Sequence, residues 1–160
     1  MIKEFFLPEI NLKFCLRLAT VALTVWFICS FVFVPAFVNG DSMKPTYNSR
    51  EFNICNKLCY LKSGVSYGAI VILRYVGRTF FLKRVVGLAG DRVEFRDGKL
   101  FVNNECVDEP YVKYPCSWNM KPVVVREGMI FVVGDNRSMP IERHMFGMIS
   151  VKRIAGAPLW

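Results

Sequence analysis

An uncharged apolar run from Leu18 to Val38 is the feature that most restricts how this chain can fold. At about 1.5 Å of rise per residue, a helix of this length crosses the hydrocarbon core of a bilayer, which is about 30 Å thick. Pro35 falls in the last turn of such a helix, where a kink is tolerated. Basic residues flank the N-terminal end of the run. We therefore expect residues 1–17 to remain in the cytoplasm and the rest of the chain to be exported.

A cleaved secretory signal peptide is the alternative interpretation of this run. Val38 and Gly40 are small enough for the −3 and −1 positions of a cleavage site. The run is nevertheless longer than the apolar core of a signal peptide, which has about 7–15 residues. We therefore expect a retained transmembrane anchor over 18–38 and one folded domain over 39–160.

Short apolar segments separated by turn residues fill the chain after Thr46. Segments rich in Ile, Val and Phe are typical of strands, and Asp97-Gly98 is a strong hairpin signal. The pattern predicts strands over 51–55, 69–75, 79–88, 92–96, 99–102, 129–133 and 148–154, with a turn at 76–78 and a loop-like excursion over 105–122. The fold class is therefore mainly β: an N-terminal transmembrane helix followed by a compact, antiparallel, β-rich domain.

The net charge of +8 points to an anionic partner. Lys and Arg are scattered among Phe, Val and Glu, and no block of five or six basic residues occurs. This pattern favours a basic face toward anionic lipid headgroups over a nucleic-acid partner.

Six cysteines leave the redox state open. Cys15 and Cys29 belong to the anchor region, where they serve as small apolar residues. In an oxidising compartment one or two disulfides, in any of three pairings, could join the other four, Cys55, Cys59, Cys106 and Cys116. With this spacing and a single histidine, His144, the sequence does not favour a zinc site, and we expect no metal or cofactor.

Two polar residues stand out as candidates for chemistry. Ser42 lies in the stretch Gly40-Asp41-Ser42-Met43-Lys44-Pro45-Thr46, directly after the apolar run and so at the membrane surface. A serine hydroxyl needs a nearby base to act as a nucleophile. Lys83 lies within the apolar stretch 80–88, where it shares a strand face with Phe81 and Val85. Burial there would lower the pKa of its amine from about 10.4 far enough for it to serve as that base.

Each of these features also has a plain structural interpretation. Ser42 fits a turn hydroxyl, and Lys83 fits an edge residue whose ammonium group reaches solvent. The stretch Gly134-Asp135-Asn136-Arg137 fits a turn that ends a strand. For each feature taken alone the structural interpretation is the better one, so the case for chemistry depends on their co-occurrence and order.

In this order the blocks resemble those of the type I signal peptidases, membrane-bound Ser–Lys proteases that remove signal peptides from exported proteins. The resemblance extends from the anchor to near the C-terminus, with Ala89 where proline is common in the family. The matching blocks are Gly40 to Thr46, Gly68-Ala69-Ile70-Val71, Lys83-Arg84-Val85-Val86-Gly87-Leu88-Ala89-Gly90-Asp91, and Gly134-Asp135-Asn136-Arg137 through Phe146-Gly147.

The resemblance implies that Ser42 is the nucleophile and Lys83 the general base, with the backbone N–H of Ser42 donating to the oxyanion. It also implies that an extended signal peptide, small at its −1 and −3 positions, binds beside 80–83 and 38–42. Many family members carry a hydroxyl donor at the position of Gly40, so here the second donor would be a backbone group or absent. The residues expected to contact oxyanion or substrate are Gly40, Asp41, Met43, Phe81 and Leu82.

The last block departs from the family pattern. Pro140 stands where a family serine hydrogen-bonds the lysine, so that role would pass to Ser138, to a backbone carbonyl or to no group. Glu142 and His144 would replace an Asp–Arg pair of the family. The supporting residues around the catalytic pair are then expected to be Arg84, Asp135, Ser138, Glu142 and His144.

Three other functions compete with this one. Soluble self-cleaving repressors share the Ser–Lys fold, but they carry a DNA-binding domain where this chain has its apolar run. A mitochondrial inner-membrane peptidase would share the chemistry, whereas Arg137 and the Lys83 block favour the bacterial cytoplasmic membrane, with the catalytic domain on its outer face. Pro140 is the only support for an inert, surface-anchored β domain. We expect signal peptides and the lipid bilayer as partners, no nucleic acid, and a monomer.

Overall fold

The computed structural model describes residues 11–37, 40–60, 64–74, 80–114, 116–141, 144 and 147–159. The predicted role of Glu142, the turn at 76–78, the use of Val38 as a cleavage-site residue and the first ten residues lie outside this set.

The N-terminal apolar segment forms helix α1, Leu12–Val32. Asn11 caps the helix, since its side-chain oxygen accepts a hydrogen bond from the backbone N–H of Phe14 at 2.9 Å. None of its residues is buried, and the helix is long and apolar enough to cross a membrane. It begins at Leu12 rather than at Leu18, so Lys13 and Arg17 belong to its first turns.

The helix ends before Val38 because Phe33–Phe37 forms strand β1. All five residues of β1 pair antiparallel with strand β2, Phe52–Asn56. Pro35 therefore lies in a strand, and the expectation that it occupies the last helical turn is wrong. A strand at the edge of a sheet tolerates a proline, which has no N–H to give to the ladder. The uncharged run thus contains the larger part of α1 and then continues into the β domain.

Nine further strands complete the described part of the fold. They are β3 Ile70–Arg74, β4 Phe80–Gly87, β5 Arg92–Arg96, β6 Lys99–Val102, β7 Glu105–Cys106, β8 Met120–Val124, β9 Met129–Val133, β10 Gly147–Ser150 and β11 Ile154–Pro158. One sheet has the order β1-β2-β11-β3-β4-β9-β10 and the other β7-β6-β5-β8. Their strand pairs are antiparallel, which confirms the prediction of a mainly β fold with one N-terminal apolar helix.

Two strand predictions are wrong in detail. The predicted excursion over 105–122 contains β7 and the start of β8, an edge strand in which Pro122 need not donate a hydrogen bond. The predicted last strand is divided by a 3₁₀ turn at Val151–Arg153, in which the side chain of Ser150 accepts a hydrogen bond from the backbone N–H of Lys152. The strands on either side of this turn pair with different neighbours, β10 with β9 and β11 with β2 and β3.

The larger sheet coils so that its first and fifth strands share a core. One buried cluster contains Ala36 of β1 and Leu82 of β4, together with Met43, Tyr47, Cys55 and Ile72. Complete burial of such an aliphatic side chain contributes about 1.5–3 kcal/mol. Met43 is only 1% exposed, so the turn that carries Ser42 is held against the sheet by its neighbour in sequence.

The six cysteines are free thiols, so the disulfides that the sequence allows are not formed in this structure. Cys55 is buried in the cluster just described, and burial raises the pKa of its thiol. Cys59 and Cys106 are exposed.

Candidate active site

Strand β4 carries Lys83 into the interior of the domain. The strand is buried from Leu82 to Gly87, and Lys83 is only 3% exposed. Its Nζ donates a hydrogen bond of 2.5 Å to Oγ of Ser42, which lies 41 residues earlier in the chain. The two candidate residues therefore have the contact that a nucleophile and its base require.

Burial also changes the acidity of the lysine. Loss of hydration lowers the pKa of Lys83 to about 8, against an opposing effect of the nearby Asp135 carboxylate. With such a pKa, about one-tenth of the Lys83 side chains are neutral at pH 7, and this fraction rises with pH. A neutral amine in contact with a hydroxyl is able to accept its proton.

The turn that carries Ser42 is docked on the segment after β9. The backbone N–H of Asn136 donates to the carbonyl oxygen of Ser42 at 2.9 Å, and Nδ2 of Asn136 donates to the carbonyl oxygen of Asp41 at 3.1 Å. Gly134 allows this approach, because a Cβ at its position would lie 2.1 Å from the Ser42 carbonyl oxygen. Within the described part of the chain, no hydrogen bond uses the backbone N–H of Ser42 as donor. That N–H is therefore available to an oxyanion.

Asp135 and Arg84 form a buried ion pair beside this turn. Nε and Nη2 of Arg84 donate to the two carboxylate oxygens at 2.8 and 2.7 Å, and Asp135 has no exposed surface. Oγ1 of Thr46 donates to the same carboxylate at 2.5 Å. Arg84 also donates to the carbonyl oxygen of Gly68 at 2.8 Å, and its guanidinium lies 3.8 Å from the ring centre of Tyr111. The pair thus joins β4, the Ser42 turn and the segment after β9.

His144 contacts the segment that follows β9. Its Nε2 accepts a hydrogen bond from the backbone N–H of Gly134 at 2.9 Å, and its ring packs edge-on against Trp118 with centres 4.8 Å apart. Burial, assisted by the positive charges of Lys83 and Arg137, lowers the pKa of His144 to about 3. The imidazole is therefore neutral at physiological pH, as an acceptor at Nε2 must be.

Ser138 does not supply a hydrogen bond to Lys83. It is exposed, and its hydroxyl donates to Oδ1 of Asn136 at 2.7 Å. Pro140 is exposed as well. Among the residues that the structure describes, the hydrogen-bond partner of the Lys83 amine is Ser42. Of the three candidates for orienting Lys83, Ser138 is therefore excluded.

The remaining residues predicted to contact substrate differ in how far they are exposed to solvent. Leu82 is buried in the cluster with Met43, whereas Phe81 is half-buried. Gly40 is exposed with a φ of +102°, and Asp41 is exposed and lies 3.0 Å from the Lys44 amine.

Sequence reasoning missed several supporting residues. Arg137 is 1% exposed, donates to the carbonyl oxygen of Gly134 at 2.7 Å and forms an ion pair with Glu109 at 2.5 Å. Asn136 and Thr46 make the docking contacts given above. Asn136, Arg137 and Thr46 lie in blocks that the sequence singles out, but Glu109 lies in none.

Two strand edges near the pair lack a described strand partner. Strand β4 pairs with β9 only from Arg84 onward, so the earlier part of β4 lacks a described strand partner on that edge. Strand β1 pairs with β2 and, within the described strands, has no neighbour on its other edge. Ala36 of β1 and Leu82 of β4 belong to one cluster, so the two open edges lie close together. Unpaired strand edges of this kind bind extended peptides.

The family described as signal peptidase, peptidase S26, matches residues 11–159. The chain belongs to this family. Signal peptidases of family S26 are serine peptidases, and removal of signal peptides is the activity that membership supports. The resemblance in the sequence blocks and the assignment as a hydrolase are therefore confirmed.

Two relatives indicate the range of this signal peptidase family. Thylakoidal processing peptidase 1, chloroplastic, of Arabidopsis thaliana is 34% identical in an alignment of 134 residues, and the match covers 76% of this chain and 39% of the plant protein. Signal peptidase IB of Staphylococcus aureus is 28% identical over 163 residues, covering 91% of this chain and 85% of the bacterial protein. The chain thus spans well under half of the plant relative and most of the bacterial one.

A crystal structure of a signal peptidase I from Enterococcus faecalis V583 is also similar. It matches with a TM-score of 0.49 and 25% identity, over 59% of this chain and 97% of that chain.

Proposed function

We propose that this signal peptidase cleaves signal peptides from exported preproteins with Ser42 as nucleophile and Lys83 as general base. The observation that carries the proposal is the 2.5 Å hydrogen bond from a lysine that is 3% exposed to a half-buried serine hydroxyl. Burial lowers the pKa of Lys83 to about 8, which brings a basic amine within reach of neutral pH. Among the described residues no cluster of His, Cys, Asp and Glu is arranged to bind a metal ion.

In the proposed reaction, neutral Lys83 takes the proton of Ser42 as Oγ attacks the carbonyl carbon of the scissile bond. The backbone N–H of Ser42 donates to the oxygen on which negative charge develops, and such a preorganised donor contributes about 10²–10³-fold in rate. Protonated Lys83 then gives its proton to the leaving amine, and an ester between Ser42 and the signal peptide remains. Water, deprotonated by the same amine, releases the signal peptide.

The substrate is proposed to lie between the open edges of β1 and β4. Backbone groups of an extended peptide pair with the open edges, and alternate side chains meet the apolar surface formed by Met43 and Leu82. This surface is close to the Ser42 turn, so we expect small side chains at the −1 and −3 positions. In this arrangement Gly40 and Asp41, which directly precede Ser42, would lie near the cleaved bond, and Phe81 would lie beside the peptide on β4.

Helix α1 is proposed to span the membrane and to hold Ser42 near its surface. Only nine residues separate the last residue of the helix, Val32, from Ser42. The bacterial relative, most of which is covered, supports a bacterial membrane. The basic residues at the N-terminal end of the apolar run favour the cytoplasm for that end, and hence the outer face of the cytoplasmic membrane for the catalytic domain. A mitochondrial inner membrane is the alternative, and the thylakoidal relative supports a third membrane for this family. We further propose that the protein acts as a monomer.

Cleavage of a purified preprotein tests the proposal. The detergent-solubilised chain is incubated with a preprotein that carries small residues at −1 and −3, and the products are identified by mass spectrometry. The wild type is expected to cut after the −1 residue, whereas Ser42→Ala and Lys83→Ala lose at least about 10³-fold in kcat/KM. Lys99→Ala, on the exposed start of β6, is the matched control. Cleavage by Lys83→Ala at the wild-type rate would place the base elsewhere.

A further inference from the structure

Two buried arginines contact the residues that hold the Ser42 turn, and the proposed reaction uses neither of them. Arg84 donates two hydrogen bonds to the carboxylate of Asp135, which also accepts one from the Ser42 turn. Arg137 donates through Nε to the carbonyl oxygen of Gly134 at 2.7 Å, and Gly134 lies directly against the carbonyl group of Ser42. A displacement of either guanidinium group would therefore reach the nucleophile.

One short segment of the chain, Glu109-Pro110-Tyr111, contacts both arginines. It lies between β7 and β8, two strands of the smaller sheet. Oε1 of Glu109 accepts a hydrogen bond from Nη2 of Arg137 at 2.5 Å and another from the hydroxyl group of Tyr111 at 2.6 Å. The guanidinium group of Arg84 lies over the ring of Tyr111, 3.8 Å from its centre. Glu109 and Tyr111 thus connect the two arginines through a continuous series of contacts.

Burial makes these contacts strong. The side chains of Arg137 and Glu109 are only 1% and 9% exposed, and a hydrogen bond between charged groups is about twice as strong as one between neutral groups. Burial, together with the negative charge of Glu109, raises the pKa of Tyr111, so its hydroxyl group stays protonated and remains a donor. The attraction between a guanidinium group and an aromatic ring also increases where water is excluded.

Tyr111 also separates Arg84 from an open cavity. This cavity has a volume of about 550 Å³ and is lined mainly by β4, β6 and β7. Tyr111 and Gly68 belong to its described lining and both contact Arg84, which does not belong to that lining. Without the ring of Tyr111, water from the cavity would reach the ion pair of Arg84 with Asp135. Because water weakens the attraction between charges, the ion pair would then be held less firmly.

We propose that Glu109 and Tyr111 are positioning residues for the cleavage reaction. They hold the two buried arginines in place, and these arginines hold the residues against which the Ser42 turn is docked. Their effect therefore reaches the distance between Ser42 and Lys83 without any contact of their own with the substrate. The inference rests on the proposed cleavage by Ser42 and Lys83.

Two substitutions of Tyr111 separate the ring from the hydroxyl group. With the full-length chain in detergent, Tyr111→Ala is expected to lower kcat for a preprotein by about 100-fold, because a displacement of reacting atoms by about 1 Å has this effect. Tyr111→Phe keeps the ring over Arg84 and is expected to restore kcat to within about threefold of the wild type. KM should stay within about twofold in both variants, because the strand edges proposed to bind the substrate are unchanged. Phe101→Ala, which removes a ring 3.6 Å from the guanidinium group of Arg96, is the matched control and should keep the wild-type kcat.

Glu109→Gln tests the other half of the segment and serves as the test if Tyr111→Ala does not fold. It keeps an acceptor oxygen but removes the charge that balances Arg137, so kcat is expected to fall by about tenfold at an unchanged KM. Glu105→Gln, on the exposed strand β7, is the matched control and should keep the wild-type kcat.

Thermal unfolding identifies the variants that are folded at the assay temperature. A folded Tyr111→Ala or Glu109→Gln variant with the wild-type kcat would overturn the positioning role, and so would a loss that appears in KM alone. Equal losses in Tyr111→Phe and Tyr111→Ala would overturn the role of the ring. A wild type that cleaves no preprotein would instead overturn the proposed function itself.

Discussion

Gly134→Ala is the substitution that most sharply tests how the Ser42 turn is positioned. A Cβ on this residue would lie 2.1 Å from the carbonyl oxygen of Ser42 and 2.7 Å from Nε2 of His144. A carbon and an oxygen that are not bonded to each other stay about 3.3 Å apart. The Ser42 turn must therefore retreat by about 1 Å, which also breaks its hydrogen bond from Asn136.

The expected loss of activity follows from that displacement. A misplacement of reacting atoms by about 1 Å costs about 100-fold in rate. This corresponds to about 2.7 kcal/mol of transition-state stabilisation. We expect the loss in kcat, because Ser42 moves away from Lys83 while the strand edges proposed to bind the substrate are unchanged.

Steady-state cleavage of a preprotein measures the effect, with thermal unfolding as the check on the fold. Gly128→Ala is the matched control: Gly128 has a φ of +70°, with no atom near the position of an added Cβ. Alanine there costs about 1–2 kcal/mol of backbone strain without touching the Ser42 turn. If folded Gly134→Ala retains kcat within about threefold, the docking of Ser42 on Gly134 is not required, and the reasoning is refuted.

Two further substitutions probe the groups around the pair. His144→Gln keeps an acceptor for the N–H of Gly134, whereas His144→Phe leaves that N–H buried without one and should lower the free energy of unfolding by about 1–3 kcal/mol in a denaturant titration. Equal stability of the two variants would contradict this role. Asp135→Asn leaves Arg84 without its carboxylate and should cost about 3–5 kcal/mol. Because Asp135 raises the pKa of Lys83, the same variant should also move the rise of activity with pH to lower pH, and an unmoved profile would contradict that coupling.

A strand could be predicted from the sequence where turn residues next to it in the chain mark its ends. The bounds of β5 and β6 agree with the sequence pattern, because Asp97 and Gly98 adopt the positive φ values, 47° and 77°, of a tight hairpin turn. Strand β1 was missed because its apolar residues continue the hydropathy of α1, and only pairing with β2 distinguishes them from a helix. The division between β10 and β11 likewise depends on which distant strands are available as partners.

The residues of the site can be separated in the same way, into those that the local sequence indicates and those that depend on distant contacts. The sequence indicated Ser42 and Lys83 as candidates, and the structure brings them together across 41 residues. Sequence patterns do not contain the long-range contacts that surround them. The hydrogen bond from Gly134 to His144 joins residues 10 positions apart, and the ion pair of Arg137 with Glu109 joins residues 28 positions apart, so both depend on how the chain folds back on itself.

The pH dependence of cleavage by the wild type and Lys83→Arg tests the central claim most directly. Burial lowers the pKa of Lys83 to about 8, and only the neutral amine accepts a proton, so kcat/KM of the wild type should rise about tenfold per pH unit below pH 8 and level off above it. Arginine remains protonated throughout, so Lys83→Arg should be inactive between about pH 6 and 10. Lys99→Arg, an exposed lysine outside the pair, should retain the wild-type profile. Cleavage by Lys83→Arg with the profile of the wild type would contradict the assignment of Lys83 as the base.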